Sequence, residues 1–238
     1  RNTGRHDNEW QWQLNRMPWF PAMAGAFVKT GNREYITAFV RQLRSWALAC
    51  KLPPNHSGNG PDSVWRGITC GLRLYAFWPP AYVAFIKEPE FTDDDILTYC
   101  YLVLIQSRHL KRFNNIGNIL TMEMRGLFAF GAMFPEFKEA EAARRYAVDT
   151  LYKSVKGMFL ADGFLNELTT GYHRLVVGNV YGFAGLAGEC GDGEFCSAGE
   201  CGHDDTNECN THHSVQQVAG QIVTGLQQDP DRSYRCNQ

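Results

Sequence analysis

No stretch of about 18 or more uncharged apolar residues, the length a helix needs to cross a bilayer, occurs in the chain. A helical membrane span is therefore not expected. Alternation of apolar and polar residues over a useful strand length is also missing as far as residue 188, which argues against a sheet-based core. No C-x-x-C pair is present, and most zinc sites built on cysteine need one. Charge of one sign is not dominant either: 23 Lys+Arg stand against 25 Asp+Glu, so the chain as a whole is not a polybasic nucleic-acid binder. The sequence begins RNTGRHDNEW, with neither an initiator Met nor a charged-then-apolar leader. We expect from this that the natural N-terminus is missing and that the compartment cannot be read there.

What is present suits one domain with a large core: 238 residues, 44% hydrophobic and 13% aromatic. The near-neutral total hides a division near Gly188. Residues 1–188 carry 21 Lys+Arg against 16 Asp+Glu, whereas residues 189–238 carry 2 against 9. A mildly basic body suits an anionic partner, although an ordinary solvated surface reads the same way. Cysteines divide similarly. Cys50, Cys70 and Cys100 sit singly among apolar residues and read as small core residues, while five others crowd the tail.

Helical patterning fills the body. Glu9 to Arg16 reads as a helix that Pro18 and Pro21 break or restart, and a segment from Trp19 stops at Thr30-Gly31. Asn32 caps an amphipathic helix whose core stripe is Tyr35, Ile36, Phe39, Val40, Leu43 and Trp46. Residues 51–63 form a loop. The segment Val64 to Phe77 is read as a helix setting Arg66, Cys70 and Arg73 on one face, ended by Pro79-Pro80. Thr92 caps a helix that opens on three aspartates and closes on Lys111-Arg112, which complements the helix dipole at both ends. Further helices are expected over 116–134, 137–160 and 170–187, with a turn at Asp162-Gly163. The class implied is an antiparallel all-α array.

Two stretches carry candidate chemistry. Asn114 to Lys138 (NNIGNILTMEMRGLFAFGAMFPEFK) opens a buried helix with amides and sets Glu123 one turn inside, and Asp162 to His173 (DGFLNELTTGYH) is a turn and loop presenting a tyrosine and a histidine. Together with EWQWQLNR, TGNREYITAFVRQLRSW and WRGITCGLRLYAFW, taken in order, these blocks resemble the N-terminal helical domain of the heparinase II/III-like polysaccharide lyases, a family that includes alginate lyases. The resemblance covers roughly residues 5–186.

That resemblance implies an incomplete α/α toroid over residues 1–188, normally followed by a β-sandwich domain, which we expect this chain to lack. It implies β-elimination at a uronic acid of an acidic polysaccharide or oligosaccharide, in a periplasmic or extracellular setting. By position, Asn118 would neutralise the uronate carboxylate and Tyr172 would protonate the leaving oxygen and also serve as base. Asn15, Arg16, Arg66, Arg73, Trp78, Glu123 and His173 are candidates for substrate binding. No cofactor is expected in this chain, the family's metal site belonging to the β domain; neither a nucleic-acid nor a membrane partner is expected. The residue types fit the chemistry, because donors aimed at a developing oxyanion do more than any other group to lower the barrier of such reactions, and an amide donates without adding charge.

Each candidate also has a structural reading. Asn118 could be a helix cap, Tyr172 a packed aromatic, Glu123 a partner of an arginine, and Arg66 and Arg73 ligands of the fold itself. Departures from the family pattern occur at Ile119, where a histidine or tryptophan is common, and at Met17, where a histidine is. A catalytically silent carbohydrate-binding toroid is the alternative, and a glycoside hydrolase using Glu123, Asp162 and Glu167 is a third reading that no spacing supports. From Glu189 onward the sequence departs from the family. Cys190, Cys196, Cys201 and Cys209 with His203, His212 and His213 match no standard zinc spacing, and we expect a poorly ordered tail or the product of a frame change.

Overall fold

The computed structural model of the chain describes residues 8–52 and 64–189. The expected tail, with its five cysteines, and most of the 51–63 loop lie outside these residues.

Every regular element among the described residues is helical: α1 Asn8–Arg16, α2 Phe20–Thr30, α3 Glu34–Ala49, α4 Gly67–Leu72 running into a π turn at Arg73–Phe77, α5 Pro79–Phe85, α6 Asp93–Arg112, α7 Gly117–Met133, α8 Ala140–Met158 and α9 Thr170–Glu189. Their ends follow from local chemistry. Gly31 closes α2 in the left-handed region at φ 65°, where a glycine carries no Cβ penalty. Asn32 accepts the Glu34 N–H at 2.9 Å and so leads into α3. Thr92 and Asp95 form a reciprocal capping box at the start of α6. Pro79 and Pro80 end one segment as expected, but they also start the next, since a helix's first turn needs no N–H donors. No described helix is long and apolar enough to cross a membrane.

These residues group into two compact units, α7 and α8 contributing to both. In the first, which holds residues 8–52, 64–115 and 122–144 of those described, α2 packs on α3 and α5, α6 on α3 and α4, and α1 on α4. Its core is aromatic: Phe20 meets Phe39 at 4.8 Å between ring centroids, Phe39 meets Phe85 at 5.4 Å, and Trp46 meets Trp78 at 5.3 Å. Aromatic pairs of this kind, edge-on for Phe20–Phe39 and Trp46–Trp78 and tilted for Phe39–Phe85, add about 0.5–1.5 kcal/mol each beyond area burial. At one place α4 and α7 cross in backbone contact. A Cβ on Gly126 would stand 2.6 Å from Gly71 backbone atoms, and one on Gly71 would stand 2.7 Å from the Met122 carbonyl oxygen. Glycine is required on both sides there.

The second unit holds, of the described residues, 116–121 and 145–189. Ala147, Leu151, Val155 and Met158 form the buried stripe of α8, and Val176, Val180, Phe183 and Ala187 that of α9. Between these helices the chain makes an isolated antiparallel bridge, Phe159 with Leu165, around a turn whose Gly163 has φ 81°.

Candidate functional site

The expected amide lies at the start of α7. Gly117 adopts φ 66°, a value that favours glycine, and turns the chain so that Asn118 falls in the helix's first turn. The Asn118 carbonyl accepts the Thr121 hydroxyl at 2.6 Å, and fully buried Thr121 accepts in turn from the Asn179 amide of α9 at 3.1 Å. The backbone at Asn118 is thereby tied to a buried polar pair. Its side chain faces a carboxylate: Asn118 Nδ2 lies 2.9 and 2.8 Å from the two oxygens of Glu167.

Glu167 and Tyr172 come from the loop and first turn leading into α9. Thr169 caps that helix, its hydroxyl accepting the Tyr172 N–H at 3.2 Å. The Tyr172 side chain is 49% exposed, so its phenol is open to a ligand. His173, one residue on, turns inward. Its Nδ1 accepts the Leu165 N–H at 3.2 Å, which puts the proton on Nε2, a buried atom without a hydrogen-bond partner. The ring stacks on Phe164 at 4.6 Å, and burial holds its pKa below the ordinary histidine value. His173 is therefore a neutral imidazole that props the loop as an acceptor.

Glu123, expected to bind substrate, has no exposed surface. One oxygen accepts the Asn115 N–H at 2.7 Å and the other the Asn115 amide at 2.5 Å. Burial pushes its pKa up to about 7, against the pull of those two donors and of Arg66. Gly67 is required beside it, because a Cβ there would stand 2.0 Å from a Glu123 oxygen. The carboxylate anchors the segment leading into α7 and is not offered to a ligand.

Three further candidates prove to be core. Arg73 is fully buried: it donates to Gln106, to the Asn15 and Val64 carbonyls and to the Cys70 sulfur, with its guanidinium 4.6 Å from the Trp46 ring centroid. Burial lowers its pKa, and these acceptors and ring faces are what let a cation reside there. Trp78 is likewise without exposed surface, and Asn15 has its amide committed to the Gln11 carbonyl and the Trp46 indole. Neither Arg73 nor Trp78 can reach a sugar from these positions. Of the expected shared face, Cys70 and Arg73 do meet, the guanidinium lying 3.3 Å from the sulfur, but Arg66 stands outside the helix, because α4 begins only at Gly67.

Arg66 is half-buried, whereas Arg16, 8% exposed, is buried. Arg66 stacks 3.5 Å over the Trp12 ring centroid, and Arg16 lies 3.7 Å from Glu9. Asn115, Thr121, Asn179 and the role of Glu167 were missed from sequence. Asn179 carried a signal, as a lone amide in the apolar run LVVGNVYG.

Among the described residues no three His, Cys, Asp or Glu side chains lie close enough together to hold a metal ion. The family model for the heparinase II/III N-terminus matches residues 1–196. The chain is 33% identical over 169 residues to a heparin-sulfate lyase of Pedobacter heparinus, covering 70% of this chain and 25% of that protein. It is 26% identical over 201 residues to one of Bacteroides stercoris, covering 74% and 30%. The crystal structure of a heparan sulfate lyase from Pedobacter heparinus superposes with a TM-score of 0.73 at 25% identity over 94% of this chain and 32% of that one. A heparinase III structure gives 0.75 at 22% identity over 91% and 31%, a likeness of fold alone. The chain thus spans less than a third of the length of these relatives. The expected class, an all-α incomplete toroid of helical hairpins, agrees with these likenesses. With the match running through both described units, the chain belongs to the heparinase II/III N-terminal family.

Proposed function

We propose that the chain supplies the helical part of a lyase site that cleaves a uronic-acid-containing polysaccharide by β-elimination, with heparan sulfate as the first substrate to test. The observation that carries this reading is the Asn118 amide, which already holds a carboxylate with both of its oxygens within 2.9 Å. An amide that grips one carboxylate can grip a uronate, and the kinship with heparin-sulfate lyases supplies the substrate class.

In this reading Asn118 donates to the uronate carboxylate and stabilises the negative charge that spreads onto it when C5 loses its proton. The half-exposed Tyr172 takes that proton as phenolate, or delivers one to the departing O4 as phenol. The electron pair of the C5–H bond becomes the C4=C5 double bond, the C4–O4 bond breaks, and the proton accepted by O4 completes the exchange without any oxidant. Arg66, half-buried, would add to the positive charge of the body that attracts a polyanion from a distance.

The test is turnover of heparan sulfate, read as ultraviolet absorbance of the unsaturated uronate. Asn118→Ala and Tyr172→Phe should each lower kcat by about 100-fold or more, the usual scale for an oxyanion donor or a positioned acid. Binding without new absorbance would instead select the carbohydrate-binding alternative, and activity surviving in Tyr172→Phe would remove Tyr172 from the acid role.

A further inference from the structure

The Asn118 amide is occupied by the chain's own carboxylate, and this occupancy is built rather than incidental. Leu165, fully buried, pins the loop, its N–H held by His173 Nδ1 at 3.2 Å. Asn166 donates its backbone N–H to the Met158 carbonyl at 2.8 Å and its side-chain amide to the Gly157 carbonyl at 3.1 Å. Leu168, directly after Glu167, sits at φ 55°, a left-handed conformation costly to a residue with a Cβ, and is 70% exposed. A leucine held in that state without being buried shows that the loop's path is set by its ties. The path delivers Glu167 to Asn118. On the other side Gly117 crowds nothing: even a Cβ there would come only to ordinary contact with the Glu167 carboxylate, at 3.7 Å.

The charge of Glu167 is not balanced locally. It forms no ion pair with any Lys, Arg or His among the described residues, and its bonding partner is the neutral amide. A ligand carboxylate arriving at Asn118 meets a like charge already on the same amide. It must push the exposed Glu167 side chain aside or share the amide with it.

The geometry points to Glu167 as a specificity-determining residue: its carboxylate stands in for the ligand's uronate at Asn118 and must be displaced when the ligand binds. This rests on the carboxylate-binding role proposed above for Asn118. The consequence is a loss of affinity that falls on ligand carboxylates alone. Glutamine at 167 keeps the shape and one acceptor oxygen but removes the charge.

The experiment compares the full chain with its Glu167→Gln variant, measuring by calorimetry the binding of a heparan sulfate oligosaccharide and of the same oligosaccharide with its uronates reduced to alcohols. Relief of one like-charge contact at about 4 Å in a solvated setting corresponds to about five-fold. Glu167→Gln should therefore bind the native oligosaccharide about five-fold more tightly and show no such gain for the reduced one. In an Asn118→Ala background the gain should vanish. Where turnover is measurable, the variant should lower KM and keep kcat.

Equal or weaker binding by Glu167→Gln overturns the proposal, as does an equal gain for both oligosaccharides, which would mark a long-range charge effect. A fall in kcat at constant KM also overturns it, because Glu167 would then only orient the amide. Failure of either form to bind overturns it too. Binding that follows the expected pattern without any cleavage would sink the lyase reading and leave this one standing.

Discussion

A carboxylate with no exposed surface must be hydrogen-bonded, neutralised or both, and Glu123 is held between those options by two Asn115 donors and by burial. Burial dominates, raising its pKa from the ordinary 4.5 to about 7. The folded chain then keeps a proton that the unfolded chain releases, so this residue erodes stability as pH rises from about 4.5 to about 7 and changes nothing further above that range. We expect the difference in urea midpoint between wild type and Glu123→Gln, measured at about pH 5 and about pH 8, to shift in favour of the glutamine variant at the higher pH. A shift in the other direction would show that the two donors outweigh burial. Gly67 makes a companion prediction. Gly67→Ala drives a Cβ into the Glu123 carboxylate, whose oxygen would lie 2.0 Å away, and should cost about 1–3 kcal/mol in chemical unfolding.

At the scale of elements, the crossing of α4 and α7 shows which of two opposed effects wins. Glycine-to-alanine inside a helix gains about 1 kcal/mol of propensity. At Gly71 and Gly126, however, the new Cβ would meet backbone atoms at 2.7 and 2.6 Å, and backbone cannot swing aside as a side chain can. Overpacking of this kind costs about 1–3 kcal/mol or more, so both Gly71→Ala and Gly126→Ala should lower the thermal midpoint; a raised midpoint would mean that the helices do not approach so closely. The start of α6 is a second case. Asp95, 1% exposed, closes the capping box with Thr92 and takes both guanidinium contacts of Arg44 from α3, at 2.5 and 2.8 Å. Burial works to raise its pKa, but Arg44 and Thr92 prevail and hold it below the ordinary carboxylate value. Its stabilisation is thus present above the unfolded pKa and lost as pH falls through the folded one. Asp95→Ala should destabilise by about 2–3 kcal/mol near neutral pH and by less in acid, where the wild type has already lost the pair.

For the whole molecule the relevant quantity is charge. Residues 1–188 carry an excess of Lys and Arg, and a polyanion should feel that excess at a distance. We expect affinity for heparan sulfate to fall as ionic strength rises from about 0.05 M to about 0.5 M, over which the Debye length shrinks severalfold. Affinity indifferent to salt would mean that binding rests on the local hydrogen bonds of Asn118 and not on the basic body.

The sequence by itself determined most of the helices and several of their ends, though not α5 or the start of α4, because caps, prolines and glycines act within a few residues of where they stand. Thr92 with its aspartates and Gly31 after Thr30 are both found as read. It also determined the family, since ordered blocks of sequence need no coordinates. Tertiary structure decided what each polar residue is for. Arg73 and Glu123 lie in helical patterns that read equally well as ligand-binding or structural, and only packing against Trp46, Gln106 and Asn115 makes them structural. Asn118 and Glu167 are 49 residues apart, and no periodicity relates them. Their meeting depends on a positive φ at Gly117 and on a loop pinned by Leu165 and His173, which are long-range choices of the folded chain.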